Sequence, residues 1–310
     1  MKRLIGIIAA FLTIFAAAAQ AEDCATASRL TRQAYDMKLD PATFAEQRRL
    51  LNEAIRLCPS SPDARNQLGA VLENEGHLAE ALAQYQEATR LNPQFATAWF
   101  GVGEIYNKTG QFPLALEAYL HACKQDEDAR RRIAELLKDN RFEVAPDGVI
   151  FEKASLLLLF ARARREELNA LLRQCDFRSD DPAVPRGVNV KPAAKFPNIL
   201  FDLGAATLRA ESLRQIEELS AALRALPQAR ILVNGHTSSE RFAGVASDAE
   251  NRRRNQELSE RRAETVAAEL ARRGMARERL ETYGCGQDQP LNGDESAYAQ
   301  NRRVEIEARQ

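Results

Sequence analysis

Net charge is what this 310-residue chain has least of, with 43 lysines and arginines set against 44 aspartates and glutamates. Without a basic excess to neutralise phosphates, nucleic acid is not an expected partner. Histidine is scarce, and His77, His121 and His236 are scattered. The five cysteines, Cys24, Cys58, Cys123, Cys175 and Cys285, contain no Cys-x-x-Cys pair. Neither zinc nor dithiol chemistry has its ligand spacing, so no metal or cofactor is expected. Paired catalytic carboxylates and a Ser-His-Asp set cannot be placed either, and the sequence reads as that of a binding protein rather than an enzyme. A run of apolar residues long enough to span a bilayer is also missing.

The longest apolar run, Leu4–Ala19, follows Lys2 and Arg3 and is broken only by Thr13. It is short for a spanning helix and leads into Ala19-Gln-Ala21, a small-x-small site. Residues 1–21 therefore read as a secretory signal cleaved after Ala21, which leaves no transmembrane span and places the protein in the periplasm, with association to the outer membrane or wall open. Gln20-Ala-Glu-Asp-Cys24 lacks the small residues that precede a lipidated cysteine. Export also makes disulfides possible. At 45% hydrophobic residues, the rest suits about two globular domains.

The first domain repeats itself. Pro59/Pro93, Leu68/Val102, Gly69/Gly103, Gly76/Gly110, Ala81/Ala115, Tyr85/Tyr119 and Ala88/Ala122 are each 34 residues apart, the period of a tetratricopeptide helix pair. Small Gly69, Ala81 and Ala88 let antiparallel helices approach while Leu68, Leu72, Leu82 and Tyr85 fill the gap, and Trp99 joins that core. A degenerate first repeat carries Tyr35, Leu51 and Ala54 at the matching positions, giving three repeats over 22–127. Antiparallel pairing brings Cys24 near Cys58, so a disulfide there is the expected pairing, the alternative being two buried thiols. The first helices of such repeats line a concave face. At helical spacing that face carries Asn66, Glu73, Asn74, Phe100, Glu104, Asn107 and Lys108, either a groove for an extended protein partner or a solvated spacer face. Helical patterns over 128–175 are expected to cap the solenoid.

Residues 176–197, with Pro182, Pro185, Pro192 and Pro197, read as a stiff linker. Beyond it, 198–310 is expected as strand Ile199–Leu203, helix Glu211–Ala225, strand Arg230–His236, helix Asn255–Arg273, strand Leu280–Cys285 and strand Val304–Ile306. The order is β-α-β-α-β-β. Alternation of Ile199, Phe201 and Leu203, and of Ile231 and Val233, supplies an inner sheet face, and Leu213, Ile216, Leu219, Leu258, Val266 and Leu270 cover it. The architecture is thus multi-domain: an all-α solenoid followed by an α+β domain.

Three stretches of that domain go together: Gly235-His-Thr237 at a strand end, Asn255-Gln-Glu-Leu-Ser-Glu-Arg-Arg-Ala263 on a helix, and Asn301-Arg-Arg-Val304 near the end. In this combination the last third of the chain resembles the OmpA-like domain of bacterial envelope proteins, which holds peptidoglycan noncovalently. The resemblance implies a pocket for the zwitterionic diaminopimelate arm of the stem peptide. By position, Arg262 is the guanidinium for its carboxylate, Asn255 and Leu258 shape the wall, and Thr237 offers backbone contacts. Ser238 stands where the family has the aspartate that meets the ammonium. Of the acids that follow, Glu240 is the nearest replacement, ahead of Asp248 and Glu250. His236 and Arg303 read as structural. Two functions follow: a wall-binding envelope protein whose repeats recruit an unidentified exported or envelope protein, or an envelope scaffold whose domain has lost wall binding.

Overall fold

The computed structural model describes residues 21–175, 189–291 and 296–310; the expected signal, save Ala21, and residues 176–188 of the expected linker lie outside that range. By packing, the chain divides into two compact units, Met1–Lys108 with Glu117–Ile133 and Thr109–Leu116 with Ala134–Gln310.

The first part of the chain is helical: residues 21–36 (α1), Phe44–Leu57 (α2), Pro62–Asn74 (α3), Leu78–Leu91 (α4), Ala96–Lys108 (α5), Phe112–Ala122 (α6) and Glu127–Leu137 (α7). α1 to α6 form three successive helix pairs over the residues expected as repeats. Ser61 begins α3 by accepting the Ala64 N–H, and Pro62 occupies the first turn, where no donor is needed. Tyr85 lies against Gly69 and Gly101, where an added Cβ would stand 2.8 and 2.6 Å from its ring, and Tyr119 lies equally close to Gly103. Glycine at these places is a packing requirement: an aromatic ring replaces the methyl that alanine would put between the helices. Leu50, Leu51, Leu68, Val71, Leu72, Val102 and Ile105 complete the core. Cys24 and Cys58 form a disulfide with their Cα atoms 4.8 Å apart.

In the second unit a 3-10 turn, Lys138–Glu143, leads to helices Lys153–Phe160 (α8) and Arg162–Gln174 (α9). Next come strand Ala193–Leu200 (β1), helix Ala210–Leu223 (α10), strand Arg230–Gly235 (β2), helix Asp248–Arg272 (α11), strand Leu280–Gly284 (β3), a short turn of helix at Tyr298–Asn301 (α12) and strand Arg303–Arg309 (β4). The sheet order is β1-β4-β2-β3. β4 is antiparallel to both its neighbours, and β2 runs parallel to β3. α11 makes the crossover that the parallel pair needs. Ile199, Phe201, Ile231, Val233, Val304 and Ile306 are buried beneath Ile216, Leu219, Leu258, Val266 and Leu270.

Several expected boundaries shift. β1 starts inside the expected linker, and Pro197 lies within it, at the register break between Phe196 and Ile199. An edge strand tolerates proline at such a bulge because no ladder donor is lost. Leu203, expected on the inner face, lies past the strand end and is 65% exposed. Residues 134–175, expected as caps of the repeats, fall with the sheet in the second unit, which also holds the start of α6: Gln111 accepts the Glu152 N–H and the Ser155 hydroxyl and donates to the Ile150 carbonyl. Val144 bridges to Lys195, and the Ala145 N–H donates to the Lys195 carbonyl at 2.9 Å. Phe151 sits 6.4 Å from the Phe196 ring, and Asn169 Oδ1 accepts the Val190 N–H. The open backbone edge of β1 takes these partners.

α11 approaches the strand ends closely. A Cβ at Gly235 would collide with the Ser259 carbonyl oxygen, and one at Gly284 would stand 2.7 Å from Ser259 Oγ. Gly235→Ala is therefore expected to cost roughly 2 kcal/mol or more, because a helix backbone is what must give way; the urea midpoint of the sheet unit checks this. A second prediction concerns Glu143, whose carboxyl burial pushes up to about 7 against the pull of Lys195, with Glu307 adding to the rise. The folded state keeps a proton that the unfolded chain releases at its ordinary value, so this group's contribution is present below about 4.5 and is lost as pH climbs to about 7. Glu143→Gln should match the natural chain in urea unfolding at pH 4.5 and exceed it at pH 8 by roughly 1–2 kcal/mol, the partial exposure of the group being discounted.

Candidate functional site

The site is assembled on α11. This helix begins seven residues before the expected Asn255, because Ser247 caps it by accepting the Glu250 N–H at 3.2 Å. The signal was present in the sequence: Ser247-Asp-Ala-Glu250 has the Ser-x-x-Glu spacing of a capping box. From this start Asn255, Leu258, Ser259 and Arg262 fall at helical spacing on one buried face. Ser259 Oγ donates to the Gln256 carbonyl and accepts the Gly286 N–H, fixing the loop after β3 to the helix. Asn255 holds the same loop through Gln287 at 2.7 Å. Asn251 Oδ1 accepts the Phe242 N–H and pins the loop after β2.

These contacts enclose a pocket of about 130 Å³ that all six expected residues line: Thr237, Ser238, Glu240, Asn255, Leu258 and Arg262. Sequence reasoning did not supply Leu203, Gly204, Arg241, Phe242, Ala243 and Arg302, which also line it. Arg302 was within reach, because it belongs to the Asn301-Arg-Arg motif; which of its two arginines faces the pocket is decided by β4, whose register buries Arg303.

Arg262 is completely buried. Its Nε donates to the Ala205 carbonyl at 2.8 Å, and its two terminal nitrogens donate to the carbonyls of His236 and Asp202 at 2.9 and 3.0 Å. The guanidinium also lies 5.2 Å from the centre of the Phe201 ring. No carboxylate is among these partners. Burial, with the nearby charges of Arg302 and Arg261, pulls its pKa down to about 10. It thus remains a cation at neutral pH, held by carbonyl dipoles.

Elsewhere in the lining Ser238 donates to Glu240 Oε2 at 2.9 Å, and Arg302 donates to the same oxygen at 2.7 Å. Glu240 thus reaches the side of Ser238, but already bound to a cation. Thr237, expected to offer backbone contacts to a ligand, has its N–H held by the Gly286 carbonyl at 2.8 Å. Its buried hydroxyl instead has no partner among the described residues.

His236 does not line the pocket. It is buried, its Nε2 3.6 Å from Glu305, and together with Arg303 it holds the Glu305 carboxyl down at about 2. Arg303 donates to Glu305 Oε1 at 2.8 and 2.6 Å, the bracing role expected of it. Cys285 is a free thiol.

Among the expected groove residues of the repeats, Asn66 is buried rather than presented on a face. Glu73 accepts the Tyr85 hydroxyl and pairs with Lys108 at 2.6 Å, and Glu104 accepts the Tyr119 hydroxyl and pairs with Arg132. Asn74 bonds back to the Ala70 carbonyl, Phe100 lies against Tyr119, and Asn107 is half-buried. A separate hollow of about 450 Å³ lies between α1 and α3, with Arg29, Arg32, Tyr35, Asp63 and Gln67 in its lining.

Comparison with known proteins agrees with this architecture. Residues 200–303 match the family model of the OmpA family, and 66–130 match that of the tetratricopeptide repeat. The chain is 34% identical over 109 residues to the peptidoglycan-associated lipoprotein of Legionella pneumophila, covering 34% of this chain and 57% of that one. It is 30% identical over 139 residues to the outer-membrane lipoprotein YfiB of Pseudomonas aeruginosa, covering 44% of this chain and 73% of the relative. A solved structure of the OmpA-like domain of FopA1 from Francisella tularensis aligns at 26% identity and a TM-score of 0.33, over 38% of this chain and 73% of that one. With the Legionella protein, a probable lipoprotein YiaD of Escherichia coli and the outer membrane protein A of Bordetella avium, the match spans about half of each relative's length. Through its C-terminal domain, which follows tetratricopeptide repeats, the chain belongs to the OmpA family.

Proposed function

We propose that this is an exported protein of the cell envelope that binds peptidoglycan noncovalently through the pocket on α11 and recruits a protein partner through its repeats. It acts as a binding protein rather than as an enzyme. The observation that carries the reading is the pocket itself. Residues from the end of β2, from the middle of α11 and from the start of β4 meet around one opening, with a buried guanidinium in the lining. A relative named for its association with peptidoglycan carries the same kind of domain. The ligand is the diaminopimelate arm of the stem peptide, its carboxylate directed to the cationic side of the pocket and its aliphatic stem along Leu258.

The repeats, on this reading, hold an exported or envelope protein by the face of their first helices. The described residues contain no helix long and apolar enough to cross a membrane, in keeping with a periplasmic place beside the wall. A second reading has a specific observation behind it: Ser238 supplies no charge, and every nitrogen of Arg262 already has a carbonyl partner. In that case the domain keeps its fold and serves only as an envelope scaffold.

Co-sedimentation of the full chain with purified diaminopimelate-type sacculi separates the two. The natural chain should pellet, and Ala243→Trp, which sets an indole at the exposed rim of the pocket, should reduce pelleting about tenfold or more with an unchanged unfolding midpoint. Pelleting by Ser238→Asp alone would favour the scaffold reading.

A further inference from the structure

We propose that the pocket selects stem-peptide arms whose amino group is already acylated, as it is in a cross-linked stem, over the free zwitterionic arm. The proposal rests on the wall-binding reading and concerns the charge the same pocket accepts.

Four charged side chains line the pocket: Arg241, Arg262, Arg302 and Glu240. Arg241 is paired with Asp248 at the exposed rim. Arg302 is paired with Glu240, and the oxygen that receives it also receives the Ser238 hydroxyl. Arg262 has only carbonyl partners. The rest of the lining thus holds two guanidiniums and one carboxylate, and one positive charge is left over. An arriving carboxylate cancels that charge.

An arriving ammonium meets the opposite situation. Among the described residues the one acid in the lining is already bound to Arg302, so the ammonium must displace a guanidinium or share its carboxylate with it, beside a second buried cation. A free arm bears both groups and carries no net charge. Acylation turns the ammonium into a neutral amide and leaves the carboxylate, so the arm carries one negative charge and matches the surplus of the pocket.

The test is calorimetric titration of the full chain with three synthetic tripeptides that end in diaminopimelate: arm free, arm amine acetylated, and arm carboxyl amidated. The acetylated peptide should bind about tenfold or more tightly than the free one, and the amidated peptide weakest of the three. Arg302→Gln releases Glu240 and should move the preference about tenfold toward the free arm. Equal or tighter binding of the free peptide by the natural chain overturns the proposal, and so does a preference that Arg302→Gln leaves in place. If the chain pellets with sacculi but binds the free arm best, only the selectivity fails. If it neither pellets nor takes any of the three peptides, the wall-binding reading fails with it.

Discussion

The contact on which the C-terminal domain depends is the one between a helix and two strand ends that carry no side chain. Gly235 and Gly284 are paired across β2 and β3, and Ser259 of α11 lies against both. Because nothing projects from the strands there, the helix backbone reaches the sheet, and Ser259 Oγ can accept the Gly286 N–H. That approach sets the height of α11 above the sheet. It thereby sets where Arg262, one turn further along, meets the carbonyls at the end of β2 and in the loop after β1. The pocket is the space left beside this contact.

Within the pocket, the arrangement of charge follows from burial. A guanidinium cannot easily be made neutral, so one that is fully buried must be met by dipoles or by acids. Here three carbonyls meet Arg262, while Glu240, the acid among the described residues that line the pocket, is taken by Arg302. Serine at 238 contributes a hydrogen bond to that acid but no charge of its own. Such a site favours a ligand carboxylate more than it favours a ligand ammonium. Wall recognition and charge preference are thus separate properties of the same few residues.

The repeats show a different use of glycine. Gly69, Gly101 and Gly103 make room for tyrosine rings whose hydroxyls then bind Glu73 and Glu104. The acids that the spacing put on a partner-facing surface are therefore also parts of the internal bracing of the helices. In the sheet unit, the residues before the proline-rich stretch add to the open edge of β1, which would otherwise present unpaired backbone groups. Helical periodicity alone does not say which neighbour a helix covers, and residues 134–175 meet both the start of α6, through Gln111, and the edge of β1, through Val144 and Ala145.

By itself the sequence determined what is local or periodic. The 34-residue spacing defined three helix pairs, and pairing of the first brought Cys24 to Cys58. Alternating Ile, Phe and Val residues defined the strands, and the spacing from Asn255 to Arg262 placed the site on one helix face. The Ser247–Glu250 cap could have been read as well, because capping depends on residues three apart. Only the tertiary structure decided which groups meet across the chain. It turned Arg302 to the pocket and Arg303 away from it, tied Glu240 to Arg302 across 62 residues, and engaged the Thr237 N–H while leaving its hydroxyl without a partner among the described residues. Those outcomes depend on strand register and on the close seating of α11, which arise from packing among segments far apart in sequence and leave no spacing to read.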